Sequence, residues 1–264
     1  MTNMTPQTQT VNELKSQVAL SCRIIGFNRV TNDTRGHVSV RIPGTDLILI
    51  KGRGADVEAM EYTSERDVIT MNMQGEVLEA RDGITAPAET PMHLAVLRHR
   101  PEVQSVIHAH PDWVVVLTAA GKPLVPILNA YDGGSSARLI KQGIPVYPRS
   151  MTITNDELGE DLMKTMGQAN VCLLVGHGTC VAGSSVENAT STNLTVYECA
   201  RLNYLTYSIG TPQPVSDADL RPGGGRPQGG MDGGAPAAGM SSFWRYETKR
   251  LPAIPPDPAG YKLG

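Results

Sequence analysis

Bulky aromatic residues are scarce in this 264-residue chain, which holds two phenylalanines and two tryptophans. Cysteines are few as well: Cys22, Cys172, Cys180 and Cys199 are scattered, with no Cys-x-x-Cys spacing. A disulfide framework and a cysteine-built zinc knuckle are therefore not expected, although Cys172 and Cys180 flank a histidine and stay an alternative ligand set. Long apolar runs are absent too. Trp113 to Ala120 and Val171 to Val175 fall far short of the roughly 20 residues that span a bilayer. The opening Met1 to Thr10 is polar and has no signal-peptide character, so residues 1–10 read as a disordered leader and the protein as cytoplasmic, with no membrane partner. A net charge of −3 gives no reason to expect a nucleic acid or an anionic surface as partner. No internal repeat is visible.

What is present is an ordinary globular composition, 40% hydrophobic and 19% charged, in a chain long enough to bury a full core. One α/β domain over residues 11–210 is expected. Apolar residues at Val11, Leu14, Val18, Cys22 and Ile25 recur at helical spacing, which predicts an amphipathic helix over Val11 to Val30. His37 to Ile42 alternates, Pro43 to Asp46 turns and Leu47 to Ile50 is apolar, which together predict a hairpin. A further strand is expected over Val68 to Met73. Thr90 is placed as an N-cap with Pro91 at the first helical position, which leaves Glu89 just before a helix N-terminus. Asp112 is expected to cap the next helix, Pro123 to Leu128 and Ile144 to Tyr147 to be strands, and Asn129 to Ser136 to be a polar loop at a pocket. Asn155 or Asp156 should cap a helix to about Gln168. A capping box at Ser184 to Glu187 should open a long helix to Ile209, closed by Gly210. Residues 211–241 turn Pro- and Gly-rich and read as a flexible linker. Residues 242–264 concentrate aromatics at Ser242 to Tyr246, so this tail should dock, on its own subunit or on a neighbour.

The chemistry-bearing stretch is Ser105 to Asp112, an apolar run ending in His108-Ala-His110. Side chains two apart on a strand share a face, so both imidazoles can converge on one metal; the plainer alternative is that one packs in the core and the other caps a strand end. A third histidine, His177, stands between Gly176 and Gly178, and glycines on both sides permit a close approach. Three nitrogen donors without a fourth protein ligand suit an open catalytic centre on zinc, manganese, iron or cobalt. Lys51-Gly-Arg-Gly54 follows a strand, and its Lys51 and Arg53 hold either an anion or only a solvated turn.

Gly36-His-Val-Ser39, Ala88-Glu-Thr-Pro-Met-His93, His108-Ala-His-Pro111, and His177-Gly-Thr followed by Gly183-Ser-Ser-Val-Glu187 resemble, in order, the motifs of the class II aldolase and adducin family. The resemblance covers about residues 11–210. It implies a three-layer α/β/α fold with a largely antiparallel central sheet, usually assembled as a homotetramer. It also implies that His108, His110 and His177 are the metal ligands and that Glu89 is the acid or base beside the metal; the alternative for Glu89 is a loop carboxylate favoured by a helix dipole. His93 recurs in a matched motif and is a candidate to support the site from behind.

Two departures bear on the substrate. His37 stands where the sugar-phosphate aldolases of the family carry asparagine, and Pro87 and Ala88 stand where they carry phosphate-binding serines. The resemblance therefore leans toward the branch of metal-dependent decarboxylases acting on hydroxylated aromatic, pyridine or ring-cleavage carboxylic acids. A metal-stabilised enolate left by loss of carbon dioxide is the expected course, with Glu89 delivering a proton from a pKa raised by burial. His37, Ser39, Lys51 and Arg53 are candidates to hold a small carboxylic acid substrate, with Tyr131 or Tyr246 at the pocket edge. The rivals are an aldolase acting on an unphosphorylated hydroxy-keto acid, a non-catalytic adducin-like scaffold, and other chemistry such as iron-dependent oxygenation.

Overall fold

The alternating segment His37–Arg41 forms strand β1 and returns through a turn at Gly44, whose φ is +75°, into β2 (Leu47–Lys51). This is a computed structural model of the chain; it describes residues 6–54, 59–220 and 241–253, with residues 6–9 described by backbone only. β2 pairs with β3 (Val68–Asn72), and β3 with the short edge strand β4 (Val77–Glu79). On its other side β1 pairs with β5 (Ser105–Ala109), which is followed by β8 (Gly178–Gly183), β7 (Val171–Leu174) and β6 (Val146–Tyr147). The sheet order is β4-β3-β2-β1-β5-β8-β7-β6, antiparallel except for the parallel β6–β7 pair.

Helices α1 (Pro6–Phe27), α3 (Asp112–Ala119) and α6 (Val186–Ile209) cover one face of the sheet. Helices α2 (Thr90–His99) and α5 (Asp156–Met166) cover the other. Strand alternation feeds two cores. Val38, Leu49, Ile107 and Val181 pack toward α1 and α6, while Ile48, Ile50, Val106 and Cys180 pack toward α2 and α5. Each such side chain contributes roughly 1.5–3 kcal/mol on burial, so a one-residue slip of β5 would exchange its two faces at prohibitive cost. That fixed register also decides which face receives His108.

The predicted hairpin, the strands at β3, β6 and β7 and the helices α1, α2, α5 and α6 are all found, with differences at their ends. Helix α1 starts at Pro6, inside the stretch expected to be a disordered leader. Thr90 is the first helical residue rather than the cap; its hydroxyl donates to the Pro87 carbonyl, and Glu89 occupies the N-cap position without capping. Likewise Pro111 precedes α3, and Asp112 is already helical. At α6 the N-cap is Ser185, one residue later than expected: its Oγ accepts from the Asn188 N–H, while Asn188 Oδ1 accepts from the N–H of Ser184, one residue ahead of the cap.

Residues 123–128 are not a strand. Pro123 and Pro126 have no N–H to give a ladder, and the Val125 backbone is held at both its N–H and its carbonyl by the Asn203 amide. The loop beyond it is partly helical, as α4 (Ser135–Lys141). Thr211 to Leu220, expected to be flexible, is tied down by Val215 N–H to the Pro126 carbonyl and by the Asn129 amide to the Asp219 carbonyl. Residues 221–240 lie outside the described residues.

The aromatic tail docks on its own subunit as α7 (Ser242–Arg250). Trp244, 3% exposed, joins the α1 side of the core, Glu247 accepts from the Asn28 amide at 2.8 Å, and Arg250 stacks over Phe27. The rest of that tail, 254–264, lies outside the described residues. Among the described residues, no helix is long and apolar enough to cross a membrane.

Candidate metal centre

The centre forms where β5 ends beside the tip of the β7–β8 hairpin. His108 is the fourth residue of β5 and faces the α2 side; His110 lies just past the strand end. Pairing of Ala109 with Thr179 sets the hairpin turn, and with it His177, next to that end. Both glycines flanking His177 are needed. Gly176 adopts φ +60°, and a Cβ on Gly178 would lie 2.1 Å from the Ala109 carbonyl oxygen, so no side chain fits there. Gly176 N–H also donates to Thr118 Oγ1 at 3.1 Å, which fastens the turn to α3.

The three imidazoles pack edge to face, with ring centroids 4.6–4.9 Å apart. Glu89 enters from the N-terminal end of α2. Its Oε2 lies 3.1 Å from His108 Nε2 and its Oε1 lies 3.5 Å from His177 Nε2. One nitrogen from each of His108, His110 and His177 and one oxygen of Glu89 all lie within 4.8 Å of one another. Three imidazoles that close, with a carboxylate beside them, could hold a divalent cation.

The tautomers support this. His108 Nδ1 donates to the Thr179 carbonyl at 2.8 Å, so on a neutral ring Nε2 carries a lone pair, and it faces His110 Nε2 at 2.8 Å. Two imidazole nitrogens and a carboxylate at such distances are satisfied by a proton or a metal ion between them. His177 Nδ1 is buried with no hydrogen-bond partner among the described residues.

Burial, reinforced by the charge of His108, brings both His93 and His110 down to about 3. Burial likewise holds His37 well below the ordinary histidine range, with His93 and His108 adding to it. Glu89 departs from expectation. Burial alone would raise its carboxyl, but the hydrogen bonds and charges of His108 and His177 outweigh it and hold the group far below the usual carboxylate range. The Ile153 N–H donates to Glu89 Oε1 at 3.0 Å and adds to the hold on the anion.

The remaining candidates divide. His37 is brought to the centre, its ring 5.2 Å from that of His108. His93, fully buried on α2, stands behind it with Nε2 2.7 Å from His37 Nδ1. Ser39 is fully buried with its hydroxyl on His93, so it meets His93 rather than any ligand. Lys51 is not brought there. It follows Leu49 on the α1 face of β2, buried beside Cys22 and Asp67, and burial lowers its pKa against their pull.

Arg53 is exposed and pairs through its backbone with Thr85, in the segment leading to Glu89. Tyr131 is 69% exposed and donates to Glu198 on α6, and Tyr246 is 59% exposed beneath Arg250 on α7. Neither tyrosine joins the histidines within one chain. Cys172 and Cys180 face each other across β7 and β8, buried among apolar residues, and burial pushes both thiols well up, Cys172 to about 12. They are not part of the cluster. Two groups escaped sequence reasoning, the Thr179 carbonyl and the Ile153 N–H, because backbone groups leave no residue-type signal.

Residues 16–204 match the class II aldolase and adducin N-terminal domain, and the chain belongs to that family. It is 32% identical over 246 residues to a 3,4-dihydroxyphthalate decarboxylase of Arthrobacter keyseri, covering 90% of this chain and 94% of the relative. A second 3,4-dihydroxyphthalate decarboxylase, from Terrabacter sp. (strain DBF63), is 33% identical, with 89% and 95% covered. In fold the chain is similar to the L-fuculose 1-phosphate aldolase from Glaciozyma antarctica PI12, with a TM-score of 0.69 at 19% identity over 83% of this chain and 82% of that one.

Proposed function

We propose that this chain is a metal-dependent carboxy-lyase that removes carbon dioxide from a small hydroxylated aromatic carboxylic acid of the 3,4-dihydroxyphthalate type. The observation that carries the reading is the His108, His110, His177 and Glu89 cluster, in a chain similar to two decarboxylases over nearly its whole length. His108, His110 and His177 would hold the metal, which when bound supplies Lewis acidity to a developing oxyanion on the substrate.

The chain's own residues do the rest. The Thr179 carbonyl fixes the His108 ring so that Nε2 faces inward, and the Gly176 and Gly178 backbone sets His177 against it. Glu89 lies within 3.1 and 3.5 Å of two ligand nitrogens, so it reaches an oxygen or a carbon held at that point. On binding, Glu89 accepts the proton of the phenol beside the departing carboxylate, and the phenolate pushes π electrons onto the ring carbon that bears it. Glu89 returns the proton to that carbon, which leaves a ring ketone. The carbon–carbon bond to the carboxylate then breaks, carbon dioxide leaves, and the bonding pair restores the aromatic ring, so the proton balance closes within the site.

The test is carbon dioxide release from 3,4-dihydroxyphthalate by metal-loaded protein, with Glu89→Gln as the control that keeps the metal. Release of an aldehyde from hydroxy-keto acids without carbon dioxide would instead identify an aldolase. A protein with neither metal nor turnover would be a scaffold.

A further inference from the structure

A hydrogen-bonded chain of side chains runs behind the candidate metal centre. Ser39 Oγ lies 2.7 Å from His93 Nδ1, and His93 Nε2 lies 2.7 Å from His37 Nδ1. Ser39 and His93 are fully buried, and His37 keeps 7% exposure at the end beside His108. The chain leads from a buried hydroxyl to one imidazole edge at the site and goes no further inward. A dead end of this kind delivers no protons from solvent; what it does is fix which nitrogen of His37 carries hydrogen.

The direction follows from the distances. The single Ser39 proton has two acceptors in reach, His93 Nδ1 at 2.7 Å and the Val106 carbonyl at 3.5 Å, and the short contact is the strong one. With Ser39 donating to Nδ1, His93 carries its hydrogen on Nε2 and donates it to His37 Nδ1. The hydrogen of His37 then sits on Nε2, the one nitrogen of the pair with no partner among the described residues. The opposite assignment would present a lone pair.

We propose that His37 donates its Nε2–H to the carboxylate that the substrate keeps, with His93 and Ser39 as positioning residues that hold it in the donor form. The inference deepens the decarboxylase reading, on which it rests for the kind of ligand. An aromatic dicarboxylate anchored by its phenolic oxygens next to His108 has a second carboxylate to place, and a fixed neutral donor beside that histidine orients it without adding a buried charge. The asparagine of the sugar-phosphate aldolases could reach His93 but has no atom at the Nε2 position.

The test compares two ligands on the zinc-loaded protein by calorimetry: 3,4-dihydroxybenzoate, which has the retained carboxylate, and catechol, which lacks it. The wild type is expected to prefer 3,4-dihydroxybenzoate by roughly tenfold to a hundredfold, the span of one hydrogen bond to a charged group. His37→Asn should bring that ratio close to one with the catechol affinity unchanged, and His37→Gln, whose amide nitrogen reaches the Nε2 position, should restore part of it. Ser39→Ala should lower the ratio while leaving catechol alone; a purely structural role would weaken both ligands together. A ratio that survives His37→Asn, or a wild type that does not distinguish the ligands, would overturn the proposal. Absence of carbon dioxide release with the ratio behaving as expected would sink the decarboxylase reading and leave the role of His37 standing.

Discussion

Loading the centre with zinc or manganese should stabilise the fold, and the effect can be sized. The metal-free cluster places His108 Nε2 2.8 Å from His110 Nε2 and 3.1 Å from Glu89 Oε2, while His108 Nδ1 is already committed to the Thr179 carbonyl. That leaves His108 Nε2 to face the other donors, and a cation at that point takes up its lone pair. At a hundredfold excess over Kd, binding contributes about 2.7 kcal/mol. At roughly 2–4 °C per kcal/mol for a domain of this size, Tm should rise by roughly 5–11 °C. Affinity should fall as pH falls, because protons compete for the ligand nitrogens. The assay is thermal unfolding of chelator-treated protein with and without metal, alongside His108→Ala, which should lose the shift. An equal shift in His108→Ala, or none in the wild type, would refute the assigned ligand set.

Further outcomes follow from other contacts. Glu89→Gln should retain the metal-dependent Tm shift and lose about a hundredfold or more in kcat, the scale of a lost general acid or base, which steady-state kinetics with metal analysis would check. Metal-free protein should lose stability on acidification: His93, fully buried with a pKa near 3 against an ordinary 6.5, binds fewer protons folded than unfolded in that window. Its contribution is therefore complete above pH 6.5 and falls by about 1.4 kcal/mol per pH unit below it; denaturant unfolding from pH 7 to pH 4.5 would show the slope, and His93→Gln should reduce it, leaving the part due to His37 and His110. Trp244→Ala should cost about 3–5 kcal/mol in unfolding free energy while leaving the metal shift intact, because α7 packs on α1 away from the histidines. Gly178→Ala should abolish metal binding, measured by calorimetry, since its Cβ would meet the Ala109 carbonyl at 2.1 Å.

The candidate metal centre is legible in the sequence because its chemistry is written in residue types. His108 and His110 share an apolar run, and His177 stands between two glycines that the turn and the Ala109 carbonyl both require. Strand alternation was equally readable and predicts the two cores. The failures have physical causes. Lys51 and Arg53 suit an anion by residue type, but β2 ends at Lys51, whose side chain is buried beneath α1, while Arg53 lies beyond the strand and is exposed. Pro123 to Leu128 looked apolar enough for a strand, yet its prolines remove donors and Asn203 takes the place of a ladder. The depressed Glu89 carboxyl could not be anticipated, because burial and imidazole pairing pull in opposite directions and only the distances decide between them. The Ile153 N–H and Thr179 carbonyl act through the backbone, which sequence patterns do not mark.

The most direct measurement is carbon dioxide released per mole of 3,4-dihydroxyphthalate consumed by protein loaded with one divalent ion per chain. Stoichiometric release, abolished by chelation and by His108→Ala, is expected. Consumption without carbon dioxide, or release that persists in the chelated protein, would contradict a metal-dependent carboxy-lyase.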